Sequence, residues 1–359
     1  MRFLYSINIR NMHKHEKNIK RECLFLFVLK KAKPPAPSWR AIALRSCVGV
    51  ALGLALSACQ TLGSGPPGST AHAPPQVPAQ PPLGPIVVTP PVALPVAPVP
   101  TRPPHIGLAL GGGAARGFAH IGVLQVLAEQ GIKPDLIVGT SAGSLVATLY
   151  AAGKSPTELG ALAQGMDESA LTDWSFPVRG LIRGEALARY VRSQTAGLQI
   201  EQMRLPLGIV ATDLADGQPI LFRRGDPGAA VRASSAVPAV FQPVRIRGRE
   251  YVDGGLVAPV PASFARQMGA ELVVAVDISE APDGQATGDA FRMLMQTFSI
   301  MGASINRWEL KDADVVIRPR LVGMSGADFL SRQRAIQAGR DAAQAALPQL
   351  RARIAALTR

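Results

Sequence analysis

Cysteine is nearly absent from this chain: Cys23, Cys47 and Cys59 are the three it has. Everything after residue 59 is therefore without an internal disulfide or a thiolate metal site. That lack does not fix the compartment, because a domain of this size is stable without disulfides. Histidine is scarce too, and His13, His15, His72, His105 and His120 all precede the middle of the chain. No internal repeat is present.

Acidic side chains are outnumbered, 25 against 38 Lys+Arg, which gives a net charge of +13. A basic excess raises the question of nucleic acid. However, 11 of the basic and 2 of the acidic residues fall in residues 1–58, leaving 27 and 23 for the rest. The excess belongs to a leader, and no nucleic-acid partner is expected. An apolar fraction of 47% over 359 residues fills a real core, enough for one large or two ordinary domains.

Residues 1–58 read as a leader. Lys30, Lys31, Lys33, Arg40 and Arg45 precede an apolar run from Cys47 to Ala58 and then small residues, the order of an export signal. The run is shorter than the roughly 20 residues of a membrane span. Leu56-Ser57-Ala58-Cys59 resembles the lipobox of bacterial lipoproteins, which implies lipidation of Cys59 and anchoring to a membrane surface. With Gln60 next, the resemblance implies the outer membrane, facing the periplasm. About 40 residues precede the apolar core, long for such a signal, and the expectation is a true start downstream of Met1. Residues 60–104 hold 15 prolines and almost no charge, so 59–104 reads as a lipidated cysteine followed by an extended tether.

The folded domain is expected at 105–359. His105–Leu110 is a short apolar strand, Arg116–Gln130 a helix with Phe118, Ile121, Leu124 and Leu127 at helical spacing, Asp135–Gly139 a second strand and Gly143–Ala152 a second helix. Further strands are expected at Leu207–Thr212, Pro219–Phe222, Glu250–Val252, Glu271–Val276 and Val315–Arg318. Helices are expected at Glu185–Thr195, Pro261–Met268, Phe291–Ile305 and Arg332–Leu357. This alternation predicts an α/β fold on a parallel or mixed sheet.

Gly139-Thr140-Ser141-Ala142-Gly143 is a G-x-S-x-G pattern between a predicted strand and a predicted helix. The pattern alone arises by chance in roughly one chain in eight of this length, so its context carries the weight. A nucleophile elbow needs glycines on either side so that strand and helix approach closely, and it sets Ser141 at the positive end of a helix. The bland alternative is a tight structural turn. Gly111-Gly112-Gly113-Ala114-Ala115-Arg116-Gly117 follows the first strand, where backbone N–H groups can face an anion. Its spacing departs from G-x-G-x-x-G by one residue, and the second strand ends in the serine turn, not in an acidic residue, which disfavours a dinucleotide site. A Walker loop is excluded because no G-K-[ST] follows. An oxyanion loop fits better, beside the alternative of an ordinary glycine-rich turn.

A neutral serine needs a base. No histidine follows Ser141, so the Ser…Asp/Glu…His order of α/β-hydrolases is impossible here, and His120 reads as an ordinary or satisfied histidine. A carboxylate remains. Asp253 stands in Val252-Asp253-Gly254-Gly255 at a strand end, with Asp213 as its rival and a simple Asp-Gly turn as the plainer reading. An aspartate with a pKa near 4 is a poor base at neutral pH, so the dyad requires a dry pocket that raises it.

In this order, the glycine-rich loop with Arg116, Gly-Thr-Ser141-Ala-Gly and Asp253-Gly-Gly resemble the patatin-like phospholipases, over roughly residues 105–320. Ala211-Thr-Asp-Leu214 and Ala233-Ser-Ser-Ala-Val-Pro-Ala-Val-Phe-Gln-Pro243 resemble the bacterial branch. The resemblance implies a three-layer α/β/α sandwich with a mainly parallel central sheet and hydrolysis of lipid or phospholipid acyl esters without cofactor or metal. It implies Ser141 as nucleophile and Asp253 as base, with Gly111, Gly112, Gly113 and Ala142 around the oxyanion. Arg116, Gly117, Gly139, Gly143, Gly254 and Gly255 are implied as supports. Where family members often have glycine after Pro238, this chain has Ala239. The rival reading is a non-catalytic lipid-binding lipoprotein of the same fold, and a nicotinamide-dependent oxidoreductase is the weaker third. Residues 154–184, with Trp174 and Phe176, read as a cap over an acyl channel or as a packed insertion. The Arg-rich last helix reads as a core-packing helix with a solvated face, with contact to a membrane as the weaker alternative.

Overall fold

A computed structural model of the chain describes residues 102–166, 173, 182–279, 288–326 and 328–359. The leader, Cys59, nearly all of the tether, and Trp174 and Phe176 lie outside the described residues. In chain order the strands are β1 (Ile106–Leu110), β2 (Leu136–Thr140), β3 (Leu207–Asp213), β4 (Pro219–Phe222), β5 (Val244–Ile246), β6 (Arg249–Asp253), β7 (Leu272–Val276) and β8 (Val315–Ile317). The helices are α1 (Ala119–Glu129), α2 (Ala142–Ala151), α3 (Pro156–Gly165), α4 (Glu185–Gln194), α5 (Pro227–Ser234), α6 (Ala262–Gln267), α7 (Ala290–Glu309) and α8 (Arg332–Leu357).

The strands form one sheet in the order β5-β6-β3-β2-β1-β7-β8, with β4 also paired to β3. β3-β2-β1-β7-β8 run parallel, while β4, β5 and β6 pair antiparallel. β1, β2, β3 and β7 are buried along their whole length, which is why they read as continuous apolar runs instead of alternating ones. Successive side chains still take opposite faces. Leu108, Leu110, Ile137, Ile209 and Val274 pack with α1, α2 and α8. Ala109, Val138, Val210, Val273 and Ala275 pack with α6 and the segment before it. The result is the three-layer α/β/α sandwich.

The structure adds three elements to those expected and shifts one. The helix expected from Arg116 opens as a 3-10 turn, Ala114–Phe118, before α1. α3 occupies part of the segment read as a cap, and its Leu159 and Ala163 are buried in the main core, so this part is a packed element. α5 and the three-residue β5 are the other additions.

The register of β3 positions the site. Thr140, the last residue of β2, lies opposite Val210, and Asp253, the last residue of β6, lies opposite Ala211. β4 runs along the other edge of β3 past both residues, so β6 takes over the edge where β2 ends. The residue after Thr140 and the last residue of β6 therefore meet.

Candidate active site

Ser141 stands between β2 and α2 at φ 53°, ψ −124°. A side chain with positive φ is strained by about 1–3 kcal/mol and persists only where its surroundings fix it. Here they do. The Ser141 N–H donates to Ser234 Oγ at 2.8 Å, and Ser234 Oγ donates to the Val210 carbonyl at 2.5 Å. The Ser141 carbonyl accepts from Ser144 Oγ at 2.6 Å and from the Ser144 N–H at 2.9 Å. The turn also requires its glycines. A Cβ on Gly143 would lie 2.2 Å from the Leu110 carbonyl oxygen, and one on Gly139 would lie 2.5 Å from the Gly143 carbonyl oxygen.

Ser141 Oγ donates to Asp253 Oδ2 at 2.8 Å. The other carboxylate oxygen accepts from the Gly255 N–H at 2.7 Å. The Asp253 backbone is pinned as well: its N–H donates to Ala236, and its carbonyl accepts from Thr212 Oγ1 at 2.8 Å. Gly254 fits against the Val210 carbonyl, where a Cβ would stand 2.3 Å away, and a Cβ on Gly255 would stand 2.9 Å from Asp253 Oδ1. Burial pushes the Asp253 carboxyl well above its usual range, to about 6, against the opposing hydrogen bonds from Gly255 and Ser141. Asp213, the rival carboxylate, is paired instead with Arg249 at 2.6 Å and accepts from the Ala215 N–H at 2.9 Å.

The glycine loop lies against the serine: a Cβ on Gly112 would be 3.1 Å from Ser141 Cβ, and one on Gly117 would be 2.8 Å from Ala142 Cβ. The expected set of oxyanion donors needs correction here. The Gly111 N–H donates to the Val276 carbonyl at 3.1 Å and the Gly112 N–H to the Pro259 carbonyl at 2.9 Å, so both are committed to the scaffold. The Gly113 and Ala142 N–H groups, together with that of Ala114, donate to no acceptor among the described residues. Arg116 is buried within the 3-10 turn that carries the loop into α1.

Two contributors escaped the sequence reading. Ser234 holds the backbone of Ser141, and the nearby Ala236 carbonyl holds that of Asp253, so one short stretch at the C-terminal end of α5 ties both residues. The signal was present in the Ala233-Ser-Ser-Ala-Val-Pro string, without a role attached to it. His120 is fully buried, with Nε2 2.8 Å from the Gly111 carbonyl oxygen. That carbonyl can only accept, so Nε2 carries the proton and donates. Burial lowers its pKa to about 4. Ala239 adopts φ 67°, a region that glycine enters without strain.

Residues 108–266 match the family model described as patatin-like phospholipase. An uncharacterized NTE family protein of Mycobacterium tuberculosis is 38% identical over 186 residues, 51% of this chain and 51% of that protein. A second from the same organism is 30% identical over 269 residues, 67% of this chain and 46% of that one. Patatin-like phospholipase domain-containing protein 6 of Mus musculus is 35% identical over 181 residues, 48% of this chain and 13% of its own length. This chain thus spans about half or less of the curated relatives it matches. Among solved structures, VipD from Legionella pneumophila aligns with a TM-score of 0.48 at 16% identity, over 69% of this chain and 67% of that one. The span matched by the family model includes the glycine loop, Ser141 and Asp253, and over residues 108–266 this chain is similar to the patatin-like phospholipase family.

Proposed function

We propose that this chain hydrolyses acyl esters of lipids through a Ser141–Asp253 dyad. The observation that carries the reading is the 2.8 Å hydrogen bond from Ser141 Oγ to the buried Asp253 carboxylate. In the first step Oγ attacks the ester carbonyl carbon and its proton passes to Asp253. The tetrahedral oxyanion is held by the N–H groups of Gly113 and Ala142 at the start of α2, where the helix end favours negative charge. Asp253 then returns the proton to the departing alcohol oxygen and the C–O bond breaks, leaving an acyl-serine. Water, deprotonated by Asp253, cleaves that ester and restores the hydroxyl. An acyl chain filling the site keeps it dry, which sustains the raised pKa. Cys59 is the proposed point of lipid attachment, which would tether the domain to the outer membrane on its periplasmic side.

A fluorophosphonate probe should label the wild-type chain and leave Ser141→Ala unlabelled. Equal labelling of the two, or none of a folded wild type, would leave a lipid-binding domain without this chemistry. The base must be ionised to act. Turnover of a soluble ester should therefore rise with pH through about 6, following Asp253. A profile flat from pH 5 to 7 would assign the base elsewhere.

A further inference from the structure

α7 is 20 residues long, yet Asn306 is its one buried residue. Asn306 anchors it: Oδ1 accepts from the Val260 N–H at 3.1 Å and Nδ2 donates to Ser279 Oγ at 2.8 Å. Glu309 accepts from Ser263 Oγ at 2.7 Å, and Gly302 lies against Pro259. These anchoring contacts lie in the second half of the helix. The segment it grips follows Asp253 and includes Pro259, whose carbonyl holds Gly112.

Away from that anchor the helix shows apolar side chains to water. Met293 is 57% exposed and Trp308 70%, and Leu294, Ile300 and Met301 are exposed as well. At helical spacing these five share one sector, opposite Asn306. No acidic residue occurs between Ala290 and Trp308. Arg307 flanks the sector, and Lys311 Nζ lies 3.6 Å from the centre of the Trp308 ring. A mainly apolar sector, with Thr297 and Ser304 within it, that ends in a tryptophan flanked by Arg307 and Lys311 has the make-up of a helix that lies in a membrane interface. No described helix is long and apolar enough to cross a membrane.

We propose that α7 docks the domain in the plane of an anionic bilayer. The five apolar side chains enter the head-group boundary, and Arg307 and Lys311 meet lipid phosphates. This rests on the lipid-hydrolase reading and deepens it: the substrate is a lipid within a bilayer, taken up beside the helix that braces the glycine loop.

Binding can be read without turnover in the full chain carrying Ser141→Ala and Cys59→Ser, with Trp39→Phe and Trp174→Phe leaving Trp308 as the single tryptophan. A blue shift of Trp308 emission, with quenching by brominated lipid, is expected on mixed phosphatidylcholine–phosphatidylglycerol vesicles and much less on phosphatidylcholine alone. The basic leader can bind such vesicles by itself, so sedimentation is not the readout. Met293→Ser with Ile300→Ser and Met301→Ser should weaken the Trp308 response about tenfold or more, and Arg307→Gln with Lys311→Gln should erase the preference for anionic lipid. In the chain with Ser141 restored, the triple serine variant should lose vesicle hydrolysis and keep soluble-ester turnover. Trp308 emission unmoved by either vesicle overturns the proposal. So does emission already blue-shifted before lipid in a dimer that the triple variant dissociates, which would assign the stripe to a second copy. Neither result depends on Ser141 reactivity, so a failure of the hydrolase reading shows separately, in the probe labelling.

Discussion

His120 carries no charge near neutral pH, because burial holds its pKa near 4. Its Nε2–H fixes the Gly111 carbonyl, while Nδ1 meets no partner among the described residues. The ring is thus a one-bond device that sets the height of the glycine loop. His120→Leu removes the donor and leaves a buried carbonyl unsatisfied, which costs about 1–3 kcal/mol. Urea unfolding should show that loss, and kcat on a soluble ester should fall about tenfold as the oxyanion donors shift. His120→Gln keeps an amide donor and should recover most of both; equal damage in the two variants would mean that ring volume, not the bond, matters. Such a role was beyond reach in the sequence, since it depends on where a carbonyl nine residues earlier points. Ser141 and Asp253 were legible because their flanking glycines advertise close approach. Which N–H groups remain for an oxyanion was not, because the answer lies with Val276 and Pro259, far along the chain.

Among the elements, α1 and α8 cross where two glycines let the backbones touch. A Cβ on Gly122 would lie 1.9 Å from the Ile336 carbonyl oxygen, and one on Gly339 would lie 2.0 Å from that of Ala119. Backbone cannot give way as a side-chain tip can. Gly122→Ala and Gly339→Ala should therefore each cost about 3 kcal/mol or more despite the better helix propensity of alanine. Gly165→Ala, with nothing within 4 Å of the added carbon, serves as the control and should gain up to about 1 kcal/mol. Chemical denaturation of the three variants tests the crossing, and similar effects in all would refute it. The strands of the central sheet were readable because burial on both faces leaves uninterrupted apolar runs. α3 and α5 were missed although both carry start signals: Ser155-Pro156 with Glu158 forms a capping box, and Asp226-Pro227 caps the next with its carboxylate on the Gly228 N–H. Their apolar stripes are too short to announce themselves. β5, three residues at a sheet edge, has almost no periodicity to detect.

For the molecule as a whole, two buried titrating groups oppose each other. Asp253 keeps its proton up to about pH 6 when folded and loses it near 3.8 when unfolded, so its contribution to stability falls as pH rises between those values. His120 is protonated below 6.5 when unfolded but only below about 4 when folded, so its contribution grows over nearly the same window. Each amounts to about 3 kcal/mol, and the two largely cancel. Asp253→Asn removes one side of the balance. Its stability relative to wild type should climb by about 3 kcal/mol from pH 4 to 6.5, while turnover is lost; parallel urea midpoints across that range would contradict the assignment. The handover of β3 from β2 to β6 has a consequence for how such a chain can change over time. The two reacting side chains are 112 positions apart in sequence, yet they sit on consecutive rungs of one backbone ladder. The connections between them can lengthen, shrink or be replaced without altering the catalytic spacing. A single residue inserted within Leu207–Asp213 or within Arg249–Asp253 would shift the pairing that brings the two side chains together, so these two strands, and not the whole intervening stretch, are what cannot drift in length.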